Sequence, residues 1–251
     1  MLTAERHQLI LSLLHDKEIV KLQEFVEATN ASDSTIRRDL TDLEKANKLK
    51  RVHGGASLIK KRLIEPTIAE KTVKNNQEKV SIAKFASQFI DKGDSIYLDA
   101  GTTVTEMIPF IKDKEIVVVT NAINNINTLI EHGIETHVIG GLVKSATKAF
   151  VGRAAIQGIE TFRFDKVFLG ANGIHPEYGI TTPDTQEAFV KECALSRAQQ
   201  AFLLVDHTKF GEISFAKIAD IDEVTIITSS AVDQEVIKAY KKKTDIKVVD
   251  R

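Results

Sequence analysis

The sequence predicts an α/β protein in two parts, an N-terminal winged helix-turn-helix followed by a larger domain on a mainly parallel sheet. Two patterns carry this. Up to about residue 57, apolar residues recur at helical spacing and end in a short β-like stretch with a glycine pair. From about residue 77, strand-like runs alternate with helix-like ones, the texture of βα units. A length of 251 residues suits one large domain or two unequal ones. The expected organisation is residues 1–57 as the helix-turn-helix part, 58–76 as a linker, and 77–251 as the sheet domain.

The elements follow in order. After Thr3, a candidate cap, Leu9, Ile10, Leu13 and Leu14 share one face of a first helix. Leu22, Phe25, Val26 and Thr29 line one side of a second. "NAS" breaks the pattern, and Ser32 is placed to cap a third helix with Ile36, Leu40 and Leu43 as its buried stripe. "LKRVHGGASLI" reads as a hairpin turning at Gly54-Gly55. Residues 58–76 mix charge with Pro66 and show no clear period, as expected of a partly helical linker. Seven strand-like runs then follow: "SIYLDA", "EIVVVTN", "ETHVIGG", "KVFLGANG", "AFLLVDHT", "EVTIITS" and "IKVVD". No internal repeat or low-complexity tract interrupts them.

Charge is balanced, with 34 basic and 35 acidic residues, so a nucleic-acid partner could show only in how charge is distributed. Residues 34–55 hold Arg37, Arg38, Lys45, Lys48, Lys50, Arg51 and His53 against Asp39, Asp42 and Glu44. With Ile36 at the centre of the apolar face and about 100° per residue, Ser34, Arg37, Arg38, Thr41, Lys45 and Lys48 fall on the other side. Thr35 adds a hydroxyl at the helix start, and Lys50, Arg51 and His53 belong to the hairpin. Arginine can read guanine or grip phosphate, hydroxyls donate to either, and lysine neutralises phosphate. A lone basic helix more often just faces water. The order helix, helix, turn, basic helix, basic wing favours double-stranded DNA. Symmetric half-sites would call for a homodimer or homotetramer.

Other classes recede. Cys193 is the single cysteine, so no internal disulfide forms, which fits a reducing cytoplasm. The N-terminal apolar stretch is too short and too charged for a membrane span or signal peptide. The seven histidines show no metal-ligand spacing, and neither a metal nor a cofactor is expected.

A second constellation lies at the ends of the strand-like runs. Gly101-Thr102-Thr103, Asn121, Gly140-Gly141, Ala171-Asn172-Gly173 and His207-Thr208-Lys209 gather where open α/β sheets bind ligands. "GTTV" before "TEMIPFI" would aim backbone N–H groups at an anion, although it lacks the Gly-Lys-Ser/Thr of a P-loop. Lys209 and Lys144 would add positive charge.

The stretch "SDSTIRRDLTDLEKANKLKRVHGGA" resembles the winged helix-turn-helix signature of the DeoR family of bacterial transcriptional regulators. Further along, "YLDAGTT", "TN", "IGG", "AFVG", "GANGI" and "LLVDHTKFG" resemble that family's effector-binding domain, itself similar to ribose-5-phosphate isomerase-type enzymes. The resemblance implies Asp99, Gly101, Thr102 and Thr103 as one wall of a pocket. Asn121, Gly140, Gly141, Asn172, Glu187, Lys191, Asp206 and Lys209 are further candidates. Glu187 and Lys191 sit one helical turn apart, which is equally the spacing of a surface ion pair. Where such isomerases carry aspartates in "DGAD", this chain has "LGAN", Leu169 to Asn172, which offers no proton-abstracting base. The resemblance therefore implies a DNA-binding repressor of a sugar-utilisation operon and not an enzyme. A phosphorylated sugar would lower its DNA affinity, with fructose 1-phosphate the first candidate and fructose 1,6-bisphosphate the next. The alternative is a sugar-phosphate isomerase with an appended nucleic-acid-binding domain, which Glu187 keeps open.

Overall fold

The computed structural model describes residues 1–17, 19–46, 48–52, 54–58 and 62–250. His53 of the expected wing lies outside the described residues. The chain divides into two compact units, Met1–Lys61 and Arg62–Arg251.

The first unit runs α1 (Thr3–Lys17), β1 (Ile19–Lys21), α2 (Leu22–Thr29), α3 (Asp33–Lys45), β2 (Leu49–Val52) and β3 (Gly55–Leu58). Its core joins Ile10 and Leu14 of α1, Phe25 of α2, and Ile36, Leu40 and Leu43 of α3. The turn between α2 and α3 passes through Asn30 in the left-handed conformation, φ 53°, which asparagine tolerates. Ser32 then caps α3, its side chain accepting from the Thr35 amide at 3.3 Å.

Three details depart from the sequence reading. The α3 helix ends at Lys45 with Ala46 as its cap, so Lys48 is not on the helical face. Its amide instead closes the turn onto the Leu43 carbonyl at 2.9 Å. Gly55 is a strand residue and not part of the turn. A third strand, β1, pairs antiparallel with β3 and completes a sheet in the order β1-β3-β2. Three residues with one buried side chain are too few to show a period.

The second unit opens with α4 (Ile68–Val73) and α5 (Asn76–Ala86). The chain then runs β4 (Ser95–Leu98), α6 (Thr102–Thr105), β5 (Val117–Thr120), α7 (Ile123–Glu131) and β6 (Glu135–Val138). A hairpin of β7 (Leu142–Lys144) and β8 (Ala149–Val151) leads to α8 (Arg153–Glu160) and β9 (Phe164–Leu169). Next come β10 (Gly173–His175), β11 (Gly179–Thr182), α9 (Thr185–Leu195) and β12 (Ala198–Leu204). The unit closes with β13 (Ala216–Ala219), β14 (Thr225–Ser229), α10 (Gln234–Tyr240) and β15 (Ile246–Val249). Residues 62–76, expected as linker, thus begin this unit and carry α4.

All seven strand-like runs form one parallel sheet, in the order β15-β14-β12-β9-β4-β5-β6. Both faces are covered, which is why its strands read as continuous apolar runs. Tyr97, Val167, Leu169 and Leu203 pack into one core, and Ile96, Leu98, Phe168, Phe202 and Leu204 into the other. The small antiparallel sheet β10-β11-β13 and the β7–β8 hairpin were not legible in the sequence. None of the described helices is long and apolar enough to cross a membrane.

Candidate functional site

In the first unit, Arg37, Arg38 and Lys45 are exposed on α3, and Lys48, Lys50 and Arg51 are exposed on the chain that follows. Arg37 pairs with Asp33 at 2.9 Å, both side chains more than half exposed, a contact that water screens and a phosphate can replace. Arg51 fastens the wing to the helix. Its guanidinium donates to Thr41 Oγ1 at 3.1 Å and its amide to Glu44 Oε1 at 2.8 Å. Ser34 and Thr35 hydroxyls reach Ser32 Oγ at 3.0 and 2.8 Å, so Thr35, half-buried, serves the helix cap. The face is therefore cationic and kept in shape by its own hydroxyls.

Asp39 leaves that face altogether. It is buried and accepts from Arg6 Nε at 2.5 Å and Nη2 at 3.0 Å, with His7 Nε2 at 3.2 Å. Burial pushes its carboxyl up, but these bonds outweigh that and hold it below the ordinary range.

In the second unit, the five strands whose ends looked polar, β12, β9, β4, β5 and β6, are neighbours in the sheet. Their carboxyl ends therefore form one edge. Asp99 directly follows β4, and its Oδ2 accepts from the Gly170 amide at 3.0 Å and from Lys191 Nζ. The loops after β4 and β9 touch: a Cβ on Gly101 would lie 3.3 Å from Gly170 Cα. Thr102 opens α6, which is a single turn, and Thr103 is buried within it. Asn121 donates to the Phe150 carbonyl at 3.2 Å, and its buried Oδ1 has no hydrogen-bond partner.

Glu187 and Lys191 of α9 do not pair with each other, and both are buried. Lys191 goes to Asp99, while Glu187 Oε1 accepts from Thr147 Oγ1 at 2.6 Å and lies 3.0 Å from Lys144 Nζ. Lys144 also reaches Asp184 at 3.2 Å and Glu65 Oε2 at 3.9 Å. Burial pushes the Lys144 ammonium down, but Glu187, Glu65 and Asp184 together raise it above its ordinary value. Glu65 Oε1 accepts from Asn172 Nδ2 at 3.0 Å and from Lys71 Nζ, and Asn172 Oδ1 accepts from Thr182 Oγ1 at 3.1 Å.

A third group completes the edge. Asp206 Oδ1 accepts from the Thr208 amide at 2.9 Å and its hydroxyl at 2.5 Å. Burial pushes this carboxyl up, but Lys209, Thr208 and Lys79 together hold it below the ordinary range. Lys79, buried on α5, donates to the Lys71 carbonyl, and burial pushes its ammonium down to about 8 against the pull of Asp206. Lys71, Lys79, Lys144, Lys191 and Lys209 thus converge on one edge with small hydroxyl and amide side chains between them, a composition suited to a phosphorylated, hydroxyl-rich ligand.

Some expected residues serve the backbone. Gly140 and Gly141 are exposed after β6. Gly141 has φ 149°, and a Cβ there would lie 2.6 Å from the Val151 carbonyl oxygen. Glu65, Lys71, Lys79, Thr147, Thr182 and Asp184 were not singled out in the sequence. Asp184 had a readable signal, since "PDTQE" is a helix start and its carboxylate accepts from the Gln186 and Glu187 amides. Glu65 and Lys71 lie in an aperiodic stretch that gives none.

Residues 6–62 match a DeoR-like helix-turn-helix domain, and residues 74–230 match the DeoR C-terminal sensor domain. The chain is 48% identical over 250 residues to the uncharacterized HTH-type transcriptional regulator FruR of Bacillus subtilis, covering 99% of both chains. It is 33% identical to the lactose phosphotransferase system repressor of Staphylococcus aureus, covering 98% of both. Among solved structures, ribose 5-phosphate isomerase A of Methanocaldococcus jannaschii is similar over 55% of each chain, at 14% identity and a TM-score of 0.42.

Proposed function

The chain belongs to the DeoR family of transcriptional regulators, and from that premise we propose that it represses a sugar-utilisation operon and releases its operator when a phosphorylated sugar binds the second unit. The observation that carries this is the lysine-rich edge of the parallel sheet, in one chain with the exposed cationic face of α3. Repression is the direction named for the S. aureus relative. Fructose 1-phosphate is the first candidate effector, on the sequence resemblance to regulators of fructose use, and fructose 1,6-bisphosphate the second. A homodimer or homotetramer would present α3 to both half-sites of a symmetric operator. Coupling follows from linkage, since a ligand that prefers one arrangement of the sensor units lowers affinity for DNA that prefers another.

Turnover is disfavoured by the same residues. Leu169 and Asn172 cannot take a proton, and the Glu187 carboxylate is held by Lys144 and Thr147. Steady isomerisation of a sugar phosphate that Glu187→Gln abolishes would establish the rival enzymatic reading.

The test is a gel shift on the DNA upstream of the protein's own operon, titrated with a panel of sugar phosphates. Specific binding should be lost as fructose 1-phosphate rises. Arg37→Ala should weaken binding by about 1–3 kcal/mol if that side chain reads a base. Unchanged specific binding in both Arg37→Ala and Arg38→Ala would remove α3 as the reading helix.

A further inference from the structure

We propose that Lys144 and Asn172 form an anion subsite filled by the carboxylate of Glu65, and that the effector's phosphoryl group takes this subsite by expelling Glu65 together with residues 62–73, Lys71 included. The proposal deepens the effector reading above and rests on it. Its first support is the placement of Glu65. Although it lies in the stretch that leads from the wing into the second unit, its side chain is only 8% exposed. Oε1 takes Asn172 Nδ2, a donor a phosphoryl oxygen would use, and Lys71 Nζ, which leaves with the segment. Oε2 is buried, accepts no hydrogen bond and lies 3.9 Å from Lys144. A carboxylate thus under-uses this subsite, and a phosphoryl group, with a third oxygen and a larger charge, matches it better.

The second support is how weakly the segment is otherwise held. No residue of α4 is buried, and Leu63, Ile64 and Val73 are 66%, 61% and 80% exposed. The attachments are polar: the Ile68 amide to the Ala146 carbonyl at 2.9 Å, the Phe215 amide to the Arg62 carbonyl at 3.2 Å, and Lys79 Nζ to the Lys71 carbonyl. A segment with little apolar burial opens at low free-energy cost. Once Glu65 leaves, the half-buried Ile68 is the main apolar hold on α4 among the described residues. Unwinding it would lengthen the tether behind the wing by about 2 Å per residue.

The experiment is calorimetry on the full chain with fructose 1-phosphate and, separately, inorganic phosphate, paired with hydrogen exchange of residues 62–73. Glu65→Gln, which keeps shape and removes charge, should bind both probes about tenfold more tightly, the factor expected if docking closes the subsite about 90% of the time. Glu65→Asp, one methylene shorter with the charge kept, should fall between. In the wild type, fructose 1-phosphate should speed exchange across 62–73, and in Glu65→Gln exchange should be fast without it. Weaker binding by Glu65→Gln would make Glu65 a direct sugar ligand and overturn the proposal, as would slower exchange on ligand binding. Tight sugar-phosphate binding with 62–73 still protected would sink this inference and leave the effector reading standing. Inorganic phosphate bound by Glu65→Gln, with no sugar phosphate bound by either protein, would uphold the subsite and sink the effector reading.

Discussion

Asp39 sits in the most basic stretch of the chain yet faces inward, where one carboxylate ties α1 to α3 through Arg6 and His7. Replacing it with Asn leaves the half-buried Arg6 without its counter-charge, and the loss of a charge-assisted bond should destabilise the first unit by about 2 kcal/mol. The pH dependence follows from the lowered carboxyl. Asp39 contributes stability above the unfolded carboxylate value of about 4, and that contribution is lost as pH falls through the lower folded value. Thermal melts of the full chain should show the first-unit transition lowered in Asp39→Asn and less sensitive to acid than in the wild type. Equal melting of the two proteins at pH 7 would show that the contact contributes nothing. Glu187 and Lys191 teach the related lesson for spacing. Their separation by one turn is that of a surface pair, but burial sends each to a partner on another element, Lys144 and Asp99.

At the scale of elements, β1 shows what a strand can require of its neighbour. It pairs Lys21 with Gly55, and a Cβ on Gly55 would lie 2.2 Å from the Val20 carbonyl oxygen. Gly55→Ala must therefore part β1 from β3, at a cost of about 1–3 kcal/mol typical of overpacking. Slowly exchanging amides of 19–21 and 55–58 should become fast, with operator affinity falling as the wing loosens; retained protection would place the Cβ elsewhere. The large sheet was legible because each strand is buried on both faces and reads as an unbroken apolar run. The α3 helix was legible from Ser32 and its apolar stripe. The short pieces were not. β1, the β7–β8 hairpin and β10-β11-β13 are held by pairing and by glycine contacts that leave no period. Of the candidate site, the strand-end residues could be named because α/β sheets bind ligands there. Glu65 and Lys71 could not, because only tertiary folding brings 62–76 onto that edge.

For the whole molecule, the buried ammonium of Lys79 would link the proposed effector binding to pH. Burial pushes it down to about 8, below its unfolded value. Its charge therefore costs the folded second unit, fully below about pH 8, and the cost fades as pH rises toward the unfolded value of about 10.4. A phosphorylated sugar reverses the balance. With a second phosphate pKa of about 6, the ligand is a dianion throughout this range and does not itself titrate. Its charge beside Lys79 would raise the ammonium pKa, so binding takes up a proton above about pH 8. Fructose 1-phosphate affinity should then be flat from pH 7 to 8 and fall above it, by at most tenfold per unit for about one proton taken up. More effector would be needed to release operator DNA at pH 9 than at pH 7. Calorimetry in two buffers of different ionisation enthalpy reads the proton directly, and Lys79→Met should abolish both the uptake and the slope while lowering affinity at pH 7. Equal affinity at pH 7 and 9 in the wild type would mean that the phosphate does not approach Lys79, and would confine the ligand to the Lys144 and Lys191 side of the edge.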